Sequence, residues 1–108
     1  MPAWQAICPV SKVSEGEPVG IKLGDLRVAL YMVNGEVYAT GDVCPHAYAL
    51  LSTGFLEEYV IECPLHGAMF DVRSGRCQTS TYKDVQTYAV EVRNGEVFVN
   101  LETADVVQ

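Results

Sequence analysis

Two short segments hold the residues able to do chemistry: Cys44-Pro45-His46 and Cys63-Pro64-Leu65-His66. The chain has only two histidines, and each follows a cysteine by two or three positions. Sixteen residues separate His46 from Cys63. A proline follows each cysteine and Gly67 follows His66. Those residue types favour tight, rigid loops whose backbone amides can face a bound group. Two soft thiolates and two imidazoles form a four-ligand set suited to zinc or to an iron–sulfur centre. Structural zinc sites usually pair Cys with Cys and His with His at short spacing. Here each segment mixes one of each, and ligand softness by itself leaves both metals open.

The remaining cysteines, Cys8 and Cys77, have no His or Cys at ligand spacing. They are expected to pack as small hydrophobes. No nucleophile with an adjacent base and no phosphate-binding glycine loop is visible. A non-haem iron facial triad in addition to the first site would need two more histidines than the chain has.

The elements that must position these residues are short and β-prone. Leu26 to Val33 reads as a strand, and Asn34-Gly35 then turns the chain into Glu36-Val37-Tyr38-Ala39. Asn-Gly supplies the positive φ angles that a two-residue hairpin turn needs. The device recurs in Tyr88 to Arg93, Asn94-Gly95 and Glu96 to Asn100, where Val90 and Val92 alternate with Glu91 and Arg93. Phe55-Leu56 and Tyr59-Val60-Ile61 flank Glu57-Glu58 as a short acidic hairpin, expected to be solvated. Met69 to Val72 runs into a turn at Ser74-Gly75. No window carries a helical apolar period. The fold class expected is all-β: one domain over residues 1–108, with an antiparallel base of hairpins at about 1–39 and 84–108. A subdomain at about 40–83 holds both cysteine–histidine pairs.

Fourteen acidic residues against seven basic ones give a formal charge of −7 and a pI near 4.6. Nucleic acid and anionic membrane surfaces are poor partners for such a chain, since phosphates are bound by clustered Lys and Arg. No run approaches the length of a membrane span. The opening Met1-Pro2-Ala3-Trp4-Gln5 has neither a basic start nor a long apolar stretch, so a cytoplasmic protein is expected. In a reducing compartment four cysteines point to metal binding or catalysis ahead of a disulfide framework.

The C-x-H and C-x-x-H pair at this separation resembles the Rieske family. Gly54, Leu56, Ile61, Phe70-Asp71 and Gly75 extend the match over roughly residues 20–100. The small ferredoxins of bacterial aromatic-ring dioxygenase systems are the members it follows most closely. The resemblance implies a Rieske-like fold and one [2Fe–2S] cluster, with Cys44 and Cys63 on one iron and His46 and His66 on the other. Replacing two cysteines by two neutral histidines makes electron uptake easier and raises the potential to about −150 to +300 mV. High-potential relatives carry two further cysteines linking the loops, and hydroxyl donors from a Ser and a Tyr. The matching positions here are Ala49, Leu65, Ala68 and Phe70, so the low end of the range is expected. Many relatives also cover the cluster with a proline-rich third loop, whereas Thr79 to Lys83 contains no proline.

The function implied is one-electron transfer from a flavin-dependent ferredoxin reductase to a Rieske non-haem iron oxygenase component, with no catalysis by this chain. The electron would leave through His46 or His66, and Pro45, Ala47, Leu65 and Gly67 would form an apolar docking tip. A small Rieske-like subunit of a reductase complex such as nitrite reductase, or a zinc-stabilised binding module, is the alternative reading.

Overall fold

A computed structural model describes residues 4–45, 49–65, 67–79 and 83–101. The described chain is all-β, with two short 3₁₀ turns and no α-helix among the described residues. Nine strands form two antiparallel sheets. The larger sheet contains β1 (Trp4–Pro9), β2 (Val19–Leu23), β3 (Leu26–Val33), β4 (Glu36–Gly41), β8 (Thr87–Arg93) and β9 (Glu96–Asn100). Their spatial order is β1-β9-β8-β4-β3-β2. The smaller sheet joins β5 (Phe55–Glu57), β6 (Val60–Glu62) and β7 (Met69–Asp71) in that order.

The two Asn-Gly hairpins form as expected. Asn34 and Asn94 sit at φ 54° and 52°, and Gly35 and Gly95 at 80° and 77°. That is the left-handed pair a two-residue turn requires. The Glu15 carboxylate accepts both amides of the first turn, from Asn34 at 2.6 Å and Gly35 at 3.1 Å. The acidic hairpin also forms, but it turns on Glu58-Tyr59, and Glu57 belongs to β5 opposite Val60. Glu57 and Glu58 are both exposed. In β8 the apolar face fades toward its end: Tyr88 is buried, Val90 half-buried and Val92 exposed.

β3 explains how the sheets are joined. Val28 and Leu30 point into the core of the larger sheet with Cys8, Val97 and Val99. Ala29 and Tyr31 point the other way, into a second core with Cys44, Leu51, Ile61, Cys63, Phe70 and Val72. Successive side chains alternate across a strand, so a run apolar at nearly every position serves two layers. The buried Tyr31 hydroxyl lies 2.8 Å from Thr40 Oγ1, which itself donates to Gly41 O. With the Thr40 hydrogen so committed, Tyr31 is the donor in the pair. Burial holds the Tyr31 phenol well above its ordinary pKa.

A surface latch adds to this joint. Arg73 forms a fork with Asp71 (Nη2–Oδ2 2.8 Å) and lies 3.9 Å from the centre of the Tyr59 ring. Tyr59 meets Tyr38 edge-on at 5.9 Å and accepts a hydrogen bond from Asn34 Nδ2 at 3.0 Å. The smaller sheet is thereby fastened to the turn of the β3–β4 hairpin.

Candidate metal centre

The two cysteines that the sequence singles out open two loops of matching design. In the first, Cys44 N–H donates to Ala49 O at 2.9 Å. In the second, Cys63 N–H donates to Ala68 O at 2.7 Å. Each loop is thus closed by the cysteine amide reaching a carbonyl five residues on. Cys44 is 3% exposed and Cys63 1%. Although far apart in sequence, both pack in the core shared with Leu51, Ile61 and Phe70.

Local chemistry accounts for the second loop. β6 and β7 pair as Val60↔Asp71, Ile61↔Phe70 and Glu62↔Met69, so Cys63 and Ala68 leave the sheet opposite one another. Gly67 sits at φ 74°, a backbone that favours glycine, and its amide donates to Cys63 O at 3.1 Å. The first loop has a thinner stem: an isolated Val43↔Leu50 bridge and the Leu51 N–H to Asp42 O bond of 2.7 Å. It ends in a 3₁₀ turn at Leu51–Thr53, whose Leu51 is fully buried. Gly54 then carries the chain into β5, so close to β6 that a Cβ there would run into the carbonyl of Glu62.

A third segment closes over the back of the second loop. Cys77 bridges Phe70, Gln78 N–H donates to Met69 O at 2.7 Å, and Thr79 Oγ1 accepts from Met69 N–H at 3.3 Å. The Cys77 amide donates to Asp84 Oδ1 at 2.8 Å. Ala68 and Phe70 are both buried, with no hydroxyl to offer at those positions.

The expected site residues therefore divide. Cys44 and Cys63 lie in one core. His46 and His66 lie outside the described residues, as do Ala47, Tyr48 and residues 80–82 of the third loop. Cys8 stands apart in the other core. Burial raises the pKa of its thiol, with Lys12 opposing the shift and Glu96 adding to it. A neutral thiol in an apolar core is what the structural reading of Cys8 requires.

A model of the Rieske [2Fe-2S] domain matches residues 3–89. The chain belongs to this family. Among curated relatives, it is 42% identical over 100 residues to the ferredoxin component of the naphthalene 1,2-dioxygenase/salicylate 5-hydroxylase systems of a Ralstonia species. That match covers 92% of this chain and 96% of the relative. Among solved structures, one similar chain comes from the complex of reduced oxygenase and oxidised ferredoxin in carbazole 1,9a-dioxygenase. Its TM-score is 0.83 at 36% identity, over 93% of this chain and 94% of that one. A nitrite reductase small subunit from Mycobacterium tuberculosis, described by its authors as putative, gives a TM-score of 0.81 at 26% identity, over 92% and 95%.

A Rieske domain carries one [2Fe–2S] cluster, and the donors in place suit it. Two buried thiols, at the heads of two closed loops that share one core, suit the thiolate half of a Rieske ligand set.

Proposed function

We propose that Cys44 and Cys63 bind one iron of the cluster through their thiolates and that His46 and His66 bind the other through their imidazoles. The [2Fe–2S] cluster supplies reversible one-electron chemistry when bound. The chain's own residues do the rest: the loops fix the ligands, and the core around Ile61 and Phe70 keeps water from the thiolate side. Residues 40–83 act as the cluster-binding subdomain of a single Rieske domain on a base of 1–39 and 84–108.

The protein is a ferredoxin component, an electron carrier with no reaction of its own. It takes electrons one at a time from a flavin-dependent ferredoxin reductase and delivers them to the Rieske non-haem iron oxygenase of an aromatic-ring dioxygenase. The observation that carries this reading is the near end-to-end similarity to a dioxygenase ferredoxin component at 42% identity. The nitrite reductase small subunit shares the fold at much lower identity. No helix among the described residues is long and apolar enough to cross a membrane. Together with the −7 charge, this suits a cytoplasmic carrier that meets protein partners and not nucleic acid or lipid. Half-buried Pro45 and exposed Leu65, on the two cysteine loops, supply an apolar tip for short-lived complexes.

The test is reconstitution. Purified protein should be red-brown, with about two irons and two sulfides per chain and a reduced-state EPR signal of the histidine-ligated type. Substrate oxidation by a dioxygenase, driven by NADH and a ferredoxin reductase, should require it. Stoichiometric zinc without sulfide would overturn the reading.

A further inference from the structure

The first cysteine loop contains a buried carboxylate that metal ligation does not use. Asp42 is 2% exposed and stands two residues before Cys44. Its Oδ1 accepts the Ser52 backbone N–H at 2.7 Å, and its Oδ2 accepts the Ser52 hydroxyl at 2.9 Å. Burying a carboxylate is unfavourable unless both oxygens find donors, and here one residue supplies both. The first amides of a helical turn lack intrahelical partners. Leu50, which precedes the 3₁₀ turn at Leu51–Thr53, makes no side-chain cap. Asp42 therefore caps that turn from ten residues away, across the neck of the loop.

β2 seals the arrangement from one side. A Cβ built on Gly20 would stand 2.6 Å from both Asp42 Oδ2 and Ser52 Oγ. That contact explains a glycine inside the strand Val19–Leu23, where glycine otherwise weakens pairing. Among the described residues the loop has no paired strands at its neck beyond one isolated bridge, so side chains must do what β6 and β7 do for the other loop.

We infer that Asp42 is a positioning residue: with Ser52 and under Gly20, it sets where Cys44 stands relative to Cys63. The inference rests on the ligand reading above only in taking Cys44 to be a metal ligand. It assigns the work to hydrogen-bond geometry. Asn at position 42 can keep that geometry, its oxygen accepting the Ser52 amide and its NH₂ donating to the Ser52 hydroxyl.

The experiment compares Asp42→Ala, Asp42→Asn, Ser52→Ala and Gly20→Ala as metal-loaded proteins. The readouts are the reduced-state EPR g-values and the rate of iron release to a chelator. Asp42→Ala is expected to shift the g-values and to speed release about tenfold. Ser52→Ala and Gly20→Ala should do so several-fold, and Asp42→Asn should stay near wild type. Should Asp42→Ala fail to fold, Ser52→Ala removes a single hydroxyl from a half-buried site and carries the test alone. Unchanged spectra and release in Ser52→Ala, or an Asp42→Asn variant that behaves like alanine, would overturn the inference. The wild-type spectrum tests the histidine ligation separately, because release of whatever metal the loop holds reports on the clamp under either ligand set.

Discussion

The two cysteine loops begin alike, with Cys-Pro, and close alike, through the cysteine amide. They are supported by different means. The second rises from a paired sheet, β6 against β7, and is backed by Phe70 and the strand-like stretch at Cys77. The first rises from one isolated bridge and is braced by a carboxylate, a serine and a buried leucine. Backbone pairing depends little on residue identity, whereas side-chain bracing depends on it wholly. The same loop closure is therefore robust to substitution at one site and fragile at the other.

The largest effect expected tests the part the loops share. Cys44→Ser and Cys63→Ser should each abolish the iron–sulfur absorbance, because each removes a thiolate from a buried site. Retention of the cluster in either variant would make the loops unequal as ligand donors. Cys8→Ser should leave absorbance intact, as befits a residue in the other core.

Next come the apolar anchors. Phe70→Ala should lower stability by about 3–5 kcal/mol and Leu51→Ala by about 2–5 kcal/mol, the range for fully buried side chains of these types. Both residues are fully buried, and urea unfolding of the loaded protein measures both. A larger loss at Leu51 than at Phe70 would place the structural centre under the first loop instead of the second.

A smaller change probes the second loop from within. A hydroxyl that donates toward the centre stabilises the reduced form more, since that form carries the extra negative charge. A differential of roughly 1–2 kcal/mol per donor corresponds to about 40–90 mV for one electron. Ala68→Ser and Phe70→Tyr should each raise the midpoint in voltammetry by that order. Intact variants with no rise would show that the hydroxyls missing at these two positions do not set the potential.

The smallest effect concerns the latch. Hydrogen bonding to Arg73 is the main cause of the lowered Asp71 pKa, and partial burial opposes it. With its folded pKa below the unfolded value, Asp71 contributes stability that is fully present above about pH 4, the usual carboxylate value. That contribution is lost as pH falls through the lower folded value. Replacing Arg73 by Ala should flatten this acid limb and cost at most about a few degrees in melting temperature near neutrality. A latch exposed to solvent should also weaken with salt, whereas the Asp42 brace, being buried, should not.

The sequence makes some of this arrangement plain and hides the rest. Both Asn-Gly hairpins can be read because a two-residue turn demands positive φ and few residues supply it. The thiol pair can be read because its residue types are scarce and regularly spaced. β1 and β2 announce themselves weakly, and the pairings that place them, Trp4 with Asn100 or Val19 with Leu30, are long-range or edge contacts without a local signal. The turn at Glu58-Tyr59 is displaced by one residue from the acidic pair, since Glu58 adopts φ 55° without being Asn or Gly. The Asp42–Ser52 brace escapes a linear reading because its meaning depends on burial. Its one trace in the sequence is Gly20, a glycine in an apolar run, which marks the close approach of another group.

β3 has a bearing on modular exchange. Ala29 and Tyr31 are the side chains of this strand that lie in the core with Cys44 and Cys63, while Val28 and Leu30 face the other layer. A graft that swaps residues 40–83 for those of another family member meets β3 through one small side chain, one phenol with Thr40 as its acceptor, and the Asp42 N–H to Arg27 O bond, and meets β2 at Gly20. Donor segments that begin with Thr, leave room above Ala29 and keep the Asp–Ser pair that faces Gly20 should transplant with their native redox behaviour. Those that do not will need matching changes at Ala29, Tyr31 or Gly20, and none at Val28 or Leu30 in the other core.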